Sequence, residues 1–207
     1  MPLKNSAAER ALKPHRIESD SLGEVVVPLG ALYGVQTQRA IDNYPITGVR
    51  ISHYPEFIKA LAAIKKASAM ANERMGLLDR TRSDAICEAC DAIMAGKHRG
   101  HFRVDVIQGG AGTSSNMNAN EVIANLALEI LGRPRADYAF LHPNNHVNLS
   151  QSTNDVYPSA IRLTLIIMGK ALHKAMGRLS QAFEAKAGEF AHVIKIGRTQ
   201  LQDAVPM

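Results

Sequence analysis

The chain has 207 residues, 46% hydrophobic and 21% charged, with a net charge of +5, which is ordinary for a soluble globular protein with room for one sizeable domain. Its basic residues are scattered and its aromatics few, so no nucleic-acid stacking platform or basic membrane patch is present. No run of about 18 apolar residues exists to span a membrane, and Met1 to Asp20 lacks the apolar core of a signal peptide; a cytoplasmic location is the default expectation.

Residues 1–15 read as a flexible leader. Glu24-Val25-Val26-Val27-Pro28 is a short β-like run closed by proline. Ala31 to Asn43 predicts a short helix stopped by Tyr44-Pro45, and Val49 to Ser52 an extended segment. Pro55 suits the first turn of a helix running to about Arg74, with Phe57, Leu61, Ile64, Ala67 and Ala71 on one face and Gly76 past its end. Asp79 or Ser83 caps the next helix, which carries Ile86, Cys90, Ile93 and Met94 toward Gly96. Cys87 and Cys90 form C-x-x-C within this helical pattern; a redox motif needs a strand-to-helix setting, so they read as packing residues one turn apart.

Lys97 to Gln108 is irregular and leads to Gly109-Gly110-Ala111-Gly112-Thr113-Ser114-Ser115-Asn116-Met117-Asn118. Three glycines in four residues permit tight turns and close approach to a ligand, and the three hydroxyls that follow sit where an amphipathic helix begins. Met117, Val122, Leu126, Ile130 and Leu131 supply that helix's stripe, which Gly132 and Pro134 end. A second polar loop spans His142 to Asp155, with four asparagines, three hydroxyls and two histidines in fourteen residues. From Val156 to about Ala191 only Pro158 interrupts, in the permissive first turn, while Ile161, Leu165, Met168, Leu172, Met176, Leu179, Phe183, Ala187 and Phe190 recur at the helical period. Such a helix suits a long-helix bundle, and the added Leu163, Ile166 and Ile167 predict burial on more than one side by oligomerisation or a partner helix. An apolar pattern is still running at Met207, which predicts a truncated chain. The fold class is therefore mainly α: an N-terminal helical domain over 16–152 with a little β, then over 153–207 the start of a long-helix bundle domain.

Two hydroxyl-amide clusters, Gly112-Thr113-Ser114 and Gln151-Ser152-Thr153-Asn154-Asp155, each precede a long helix. Capping explains one such residue per helix; a donor cluster for a carboxylate explains the run of five. The residues alone leave both readings open. The glycine stretch lacks the Gly-Lys-Ser/Thr of a P-loop, no Gly-x-Gly-x-x-Gly follows a strand, no Gly-x-Ser-x-Gly elbow is present, and no His or Cys cluster has metal-ligand spacing. His142 and His146 read as hydrogen-bonding groups.

Residues 109–123, 142–155 and 197–207, with Ala31-Leu32-Tyr33-Gly34-Val35-Gln36-Thr37 upstream, resemble the aspartase/fumarase superfamily. Within it, Gln151 to Asp155 and Thr199 to Pro206 resemble the aspartate ammonia-lyases more than the class II fumarases, which carry a second serine where Thr153 stands and a histidine where Gln200 stands. The resemblance implies a mostly helical homotetramer with each site shared between subunits, a small dicarboxylate substrate, and no nucleic-acid or membrane partner. It implies that Thr113, Ser152 and Thr153 hold the β-carboxylate, that Thr153, Asn154 and Gln200 lie near the amino group, and that Thr199 takes the α-carboxylate. The reaction implied is reversible deamination of L-aspartate to fumarate, with neutral donors stabilising an aci-carboxylate and no cofactor required. Class II fumarase and a non-catalytic helical scaffold remain the alternatives. Asn145 replaces the aspartate usual in a segment that fumarases use for a second dicarboxylate site. The Gly-Ser-Ser loop that bears the family's serine base falls beyond residue 207, which implies that the isolated chain lacks lyase activity.

Overall fold

The computed structural model describes residues 14–207, so most of the expected leader over 1–15 lies outside the described residues; His15 already belongs to a strand. The chain forms two compact units, one ending at Thr164 and one running from Leu165 to Met207. The first begins with an antiparallel hairpin, β1 (His15–Asp20) and β2 (Gly23–Pro28), in the register His15↔Pro28 to Asp20↔Gly23. The valine run thus forms a strand as expected, and β1 joins it although its sequence alternates weakly.

Helix α1 covers Val35–Asn43, four residues shorter at its start than expected. The carbonyls of Ala31 and Tyr33 accept from the Arg16 guanidinium (2.8 Å each), which holds 31–34 as an irregular turn. The expected extended segment at 49–52 reduces to a single bridge, Arg50↔Asp105, followed by a 3-10 turn at Ile51–His53. Helix α2 (Pro55–Arg74) has proline in its first turn and Gly76 at φ +71° beyond its end, and α3 (Arg80–Met94) is capped by the Asp79 carboxylate accepting from Arg82 N–H at 3.0 Å. Both helices match their expected bounds. Cys87 and Cys90 are free thiols within α3.

The inward face of α2 differs from its sequence stripe. Ala67 and Ala71 are exposed, whereas Ile58, Leu61, Lys65, Ala69 and Asn72 point inward. The two polar members hold a loop, as described below, and a polarity count cannot register that.

Helix α4 (Thr113–Ile130) is the axis of the first unit. Its side chains are buried without interruption from Ser115 to Leu128, so it is enclosed on all sides along most of its length rather than amphipathic. Its asparagines anchor irregular backbone: Asn118 accepts from Arg103 N–H at 2.9 Å and donates to the His101 carbonyl at 3.0 Å. Asn125 donates to the Leu32 carbonyl and accepts from Ala136 N–H, both at 2.8 Å. Buried amides satisfied in this way fix the loops they hold.

Helix α5 spans Thr153–Glu189. Because it begins at Thr153, Pro158 lies in its second turn and not its first; lacking an N–H, the proline leaves the Asn154 carbonyl without its intrahelical donor. Residues of α5 to Thr164 belong to the first unit, where Val156, Ala160 and Thr164 are buried. In the second unit, Leu165, Leu172, Met176, Leu179 and Phe183 are each more than half exposed. That unit closes with an antiparallel hairpin, β3 (Ile196–Thr199) and β4 (Gln202–Pro206), which helical periodicity did not foreshadow. Among the described residues no helix is long and apolar enough to cross a membrane.

Candidate functional site

The glycine loop enters α4 through three successive left-handed residues, Gly110 (φ +75°), Ala111 (φ +45°) and Gly112 (φ +93°). Gln108 closes the loop from outside: its Oε1 accepts from Ser115 N–H and its Nε2 donates to Ser115 Oγ, both at 2.7 Å. Gly112 is the N-cap and has no side chain to cap the helix, so the Gln108 side chain serves Ser115 N–H instead. Thr113 is exposed; its N–H (2.9 Å) and its hydroxyl (2.6 Å) both donate to the Gly110 carbonyl.

Gly112 also meets α5. A Cβ built there would lie 2.2–2.5 Å from three ring carbons of Tyr157. Positive φ and a ring in the way act together, so Gly112→Ala is expected to destabilise by roughly 2–6 kcal/mol, the sum of backbone strain and overpacking. Chemical denaturation against Gly132→Ala, where φ is +68° and no atom lies within 4 Å of the added carbon, separates the two terms. Equal losses at both positions would show that the Tyr157 contact contributes nothing.

The second polar loop starts α5. Ser152 is its N-cap: the carbonyl accepts from Val156 N–H at 3.0 Å and Oγ accepts from Asn154 N–H at 3.2 Å. Thr153 Oγ1 accepts from Asn116 Nδ2 at 2.9 Å, and Asn116 stands one turn past Thr113 on α4. The Asn116 and Gly112 contacts thus bring the two hydroxyl clusters together in the first unit. Exposed Asn154 lines a groove of about 500 Å³ with Gln108, Ala111, Gly112, Tyr157 and Pro158.

Beneath Thr153 lies a polar cluster that sequence reading missed. Lys65 is fully buried and donates to Asn148 Oδ1 at 2.8 Å and Gln151 Oε1 at 2.9 Å. Asn148 Oδ1 also accepts from Asn116 Nδ2 at 3.1 Å. Two turns along α2, Asn72 donates to the Leu149 carbonyl at 2.9 Å, so a single helix face pins 148–151. Burial pushes the Lys65 ammonium down to about 7. The only sequence signal was a lysine beside Lys66 at a position where the helical period turns inward.

Thr199 and Gln200 stand in the second unit, where Thr199 ends β3 and exposed Gln200, at φ +44°, forms the turn to β4. The two histidines of the loop make local bonds: His142 Nδ1 accepts from Asn144 N–H (3.0 Å) and Asn145 N–H (3.3 Å), and His146 Nδ1 accepts from His142 N–H (2.8 Å). Among the described residues no three His, Cys, Asp or Glu side chains are grouped to hold a metal ion. The groups gathered in the first unit are hydroxyls, amides, helix-start N–H groups and one buried ammonium, a set of donors suited to an anion.

Known proteins share this architecture. A family model described as Lyase matches residues 23–207. The chain is 56% identical over 192 residues to an aspartate ammonia-lyase of Pseudomonas canavaninivorans, covering 93% of this chain and 40% of that protein. A crystal structure of fumarate lyase:delta crystallin from Brucella melitensis matches with a TM-score of 0.87 at 57% identity, over 93% of this chain and 45% of that one. A recombinant class II fumarase from Schistosoma mansoni matches with a TM-score of 0.83 at 39% identity, over 93% and 40% respectively. The chain spans about two fifths of the length of the curated relatives it matches.

Proposed function

Because the chain belongs to the lyase family, within the aspartase/fumarase superfamily, we propose that a protein carrying it at the length of its relatives deaminates L-aspartate to fumarate and ammonia. The observation that carries this reading is the start of α5: Ser152 caps the helix, and Thr153 receives an amide N–H from Asn116, which leaves its own proton free to donate away from the core. Removing the proton beside the β-carboxylate of aspartate places a second negative charge on that carboxylate before ammonia departs. Hydroxyl and helix-start donors meet that charge without reorganising, which is where such donors lower a barrier most.

In this reading Thr113, Ser152 and Thr153 hold the β-carboxylate; Thr153, Asn154 and Gln200 face the amino group; and Thr199 takes the α-carboxylate. Thr113 must first turn its hydroxyl from the Gly110 carbonyl. The same reading makes the protein a cytoplasmic homotetramer, and the exposed apolar stripe of α5 from Leu165 to Phe183 supports association of copies through this helix.

The test is an absorbance assay for fumarate on the protein at its relatives' length. Fumarate should form from L-aspartate and not from L-malate. Formation from L-malate alone would select the class II fumarase reading, and formation from neither would leave the helical scaffold.

A further inference from the structure

We propose that Lys65 is a positioning residue for Thr153, acting through Asn148 and Asn116 to fix the Thr153 hydroxyl as a donor toward the bound carboxylate. This rests on the reading of Thr153 as a carboxylate-binding group. The chain of contacts is continuous: Lys65 Nζ donates to Asn148 Oδ1, Asn116 Nδ2 donates both to that oxygen and to Thr153 Oγ1, and every link is 3.1 Å or shorter. Asn148 Oδ1 is therefore a shared acceptor. Held from one side by Lys65, that oxygen offers the Asn116 amide a fixed acceptor and so sets its orientation. The amide then occupies a lone pair of Thr153 Oγ1, so that hydroxyl has its proton left to give.

A loop anchor does not require a charge. Neutral amides anchor the neighbouring loops from Asn118, Asn125 and Asn72. At Lys65 an ammonium does that work with two amide oxygens as acceptors, and among the described residues it forms no ion pair. Burying a cation without a counter-ion is unfavourable, and the free energy is recovered where an anion binds nearby. Burial lowers this lysine to about 7, so at neutral pH it is only partly protonated and a bound anion would favour its ammonium form; the adjacent Cys90 thiol, pushed up by burial, stays neutral.

The experiment is a pair of double-mutant cycles on the protein at its relatives' length, with kcat and KM for L-aspartate and thermal unfolding followed for each variant. Lys65→Met is expected to lower kcat by about 100-fold; in its background Thr153→Ala should lose less than about tenfold further, while Ser152→Ala keeps its full effect. Collapse of both second effects would mark a purely structural role for Lys65 and overturn the proposal, as would an undiminished Thr153→Ala effect. Lys65→Gln, which keeps a donor for the amide oxygens, carries the same cycles where Lys65→Met does not fold. If the parent protein binds succinate but does not deaminate aspartate, the proposed reaction fails, and the cycles read on the succinate dissociation constant decide the role of Lys65. A parent that binds neither overturns both.

Discussion

On the proposed deamination of L-aspartate, Thr153→Ala is expected to lower kcat by about 10²–10³-fold in the protein at its relatives' length, with KM changed far less, because the donor proposed there would act on charge that develops only during the reaction. Stability should suffer little by comparison. Ser152 caps α5, and its bonds to Asn154 N–H and Val156 N–H do not involve the Thr153 hydroxyl. What the substitution leaves behind is one Asn116 amide proton without its acceptor, while the second link from Asn116 to Asn148 survives. That loss amounts to about 1–3 kcal/mol, readable as a drop in melting temperature. Thr153→Ser retains the hydroxyl and should recover most of the turnover. A Thr153→Ala enzyme within about threefold of the parent kcat would remove Thr153 from the chemistry.

The helices were legible where local chemistry terminates them. Pro55 and Gly76 bracket α2, Asp79 starts α3, and the glycine run starts α4, since proline, glycine and a capping carboxylate act over one turn. The clusters at Thr113 and at Ser152-Thr153-Asn154 were legible for a related reason: a helix start that gathers several hydroxyls and amides exceeds what capping alone requires. The inward face of α2 was not legible, because Lys65 and Asn72 are turned inward by loop residues about eighty positions later, and Ala67 and Ala71 are apolar yet exposed. Asn116 lay inside the recognised motif, but its partner Thr153 is 37 residues away, and no spacing rule links them. Gln200 carries no turn signature of its own, although its left-handed backbone makes the β3–β4 turn. For Lys65, Asn72 and Asn116 the missing information is a long-range partner.

Replacing Glu121 should cause the largest loss of stability in the first unit. This side chain sits in the middle of α4 with only 2% of its surface exposed, and its carboxylate accepts from the N–H groups of Gly34 (2.8 Å), Gln36 (2.8 Å) and Thr37 (3.1 Å). It is the cap of α1, supplied by another helix, and its negative charge faces the positive end of the α1 dipole. Glu121→Leu strands three buried donors at about 1–3 kcal/mol each, a sum comparable to the whole stability of an ordinary domain. The expected result is loss of cooperative unfolding, or a melting temperature lower by more than about 10 °C. Glu121→Gln keeps one accepting oxygen and should fall between the two. The same carboxylate sets a pH dependence. Burial pushes its pKa up from 4.5 to about 6, against the opposite pull of the Thr37 side chain and the three N–H groups. A folded value above the unfolded one means that the native state holds the proton more tightly, so this contribution is complete below pH 4.5 and is lost as pH rises through 6. The parent protein should therefore gain stability relative to Glu121→Gln on acidification from neutrality, by about 2 kcal/mol for a shift of this size. A difference between the two proteins that stays flat from about pH 4.5 to 7 would show that the converging donors at least cancel burial and hold Glu121 at or below its ordinary pKa.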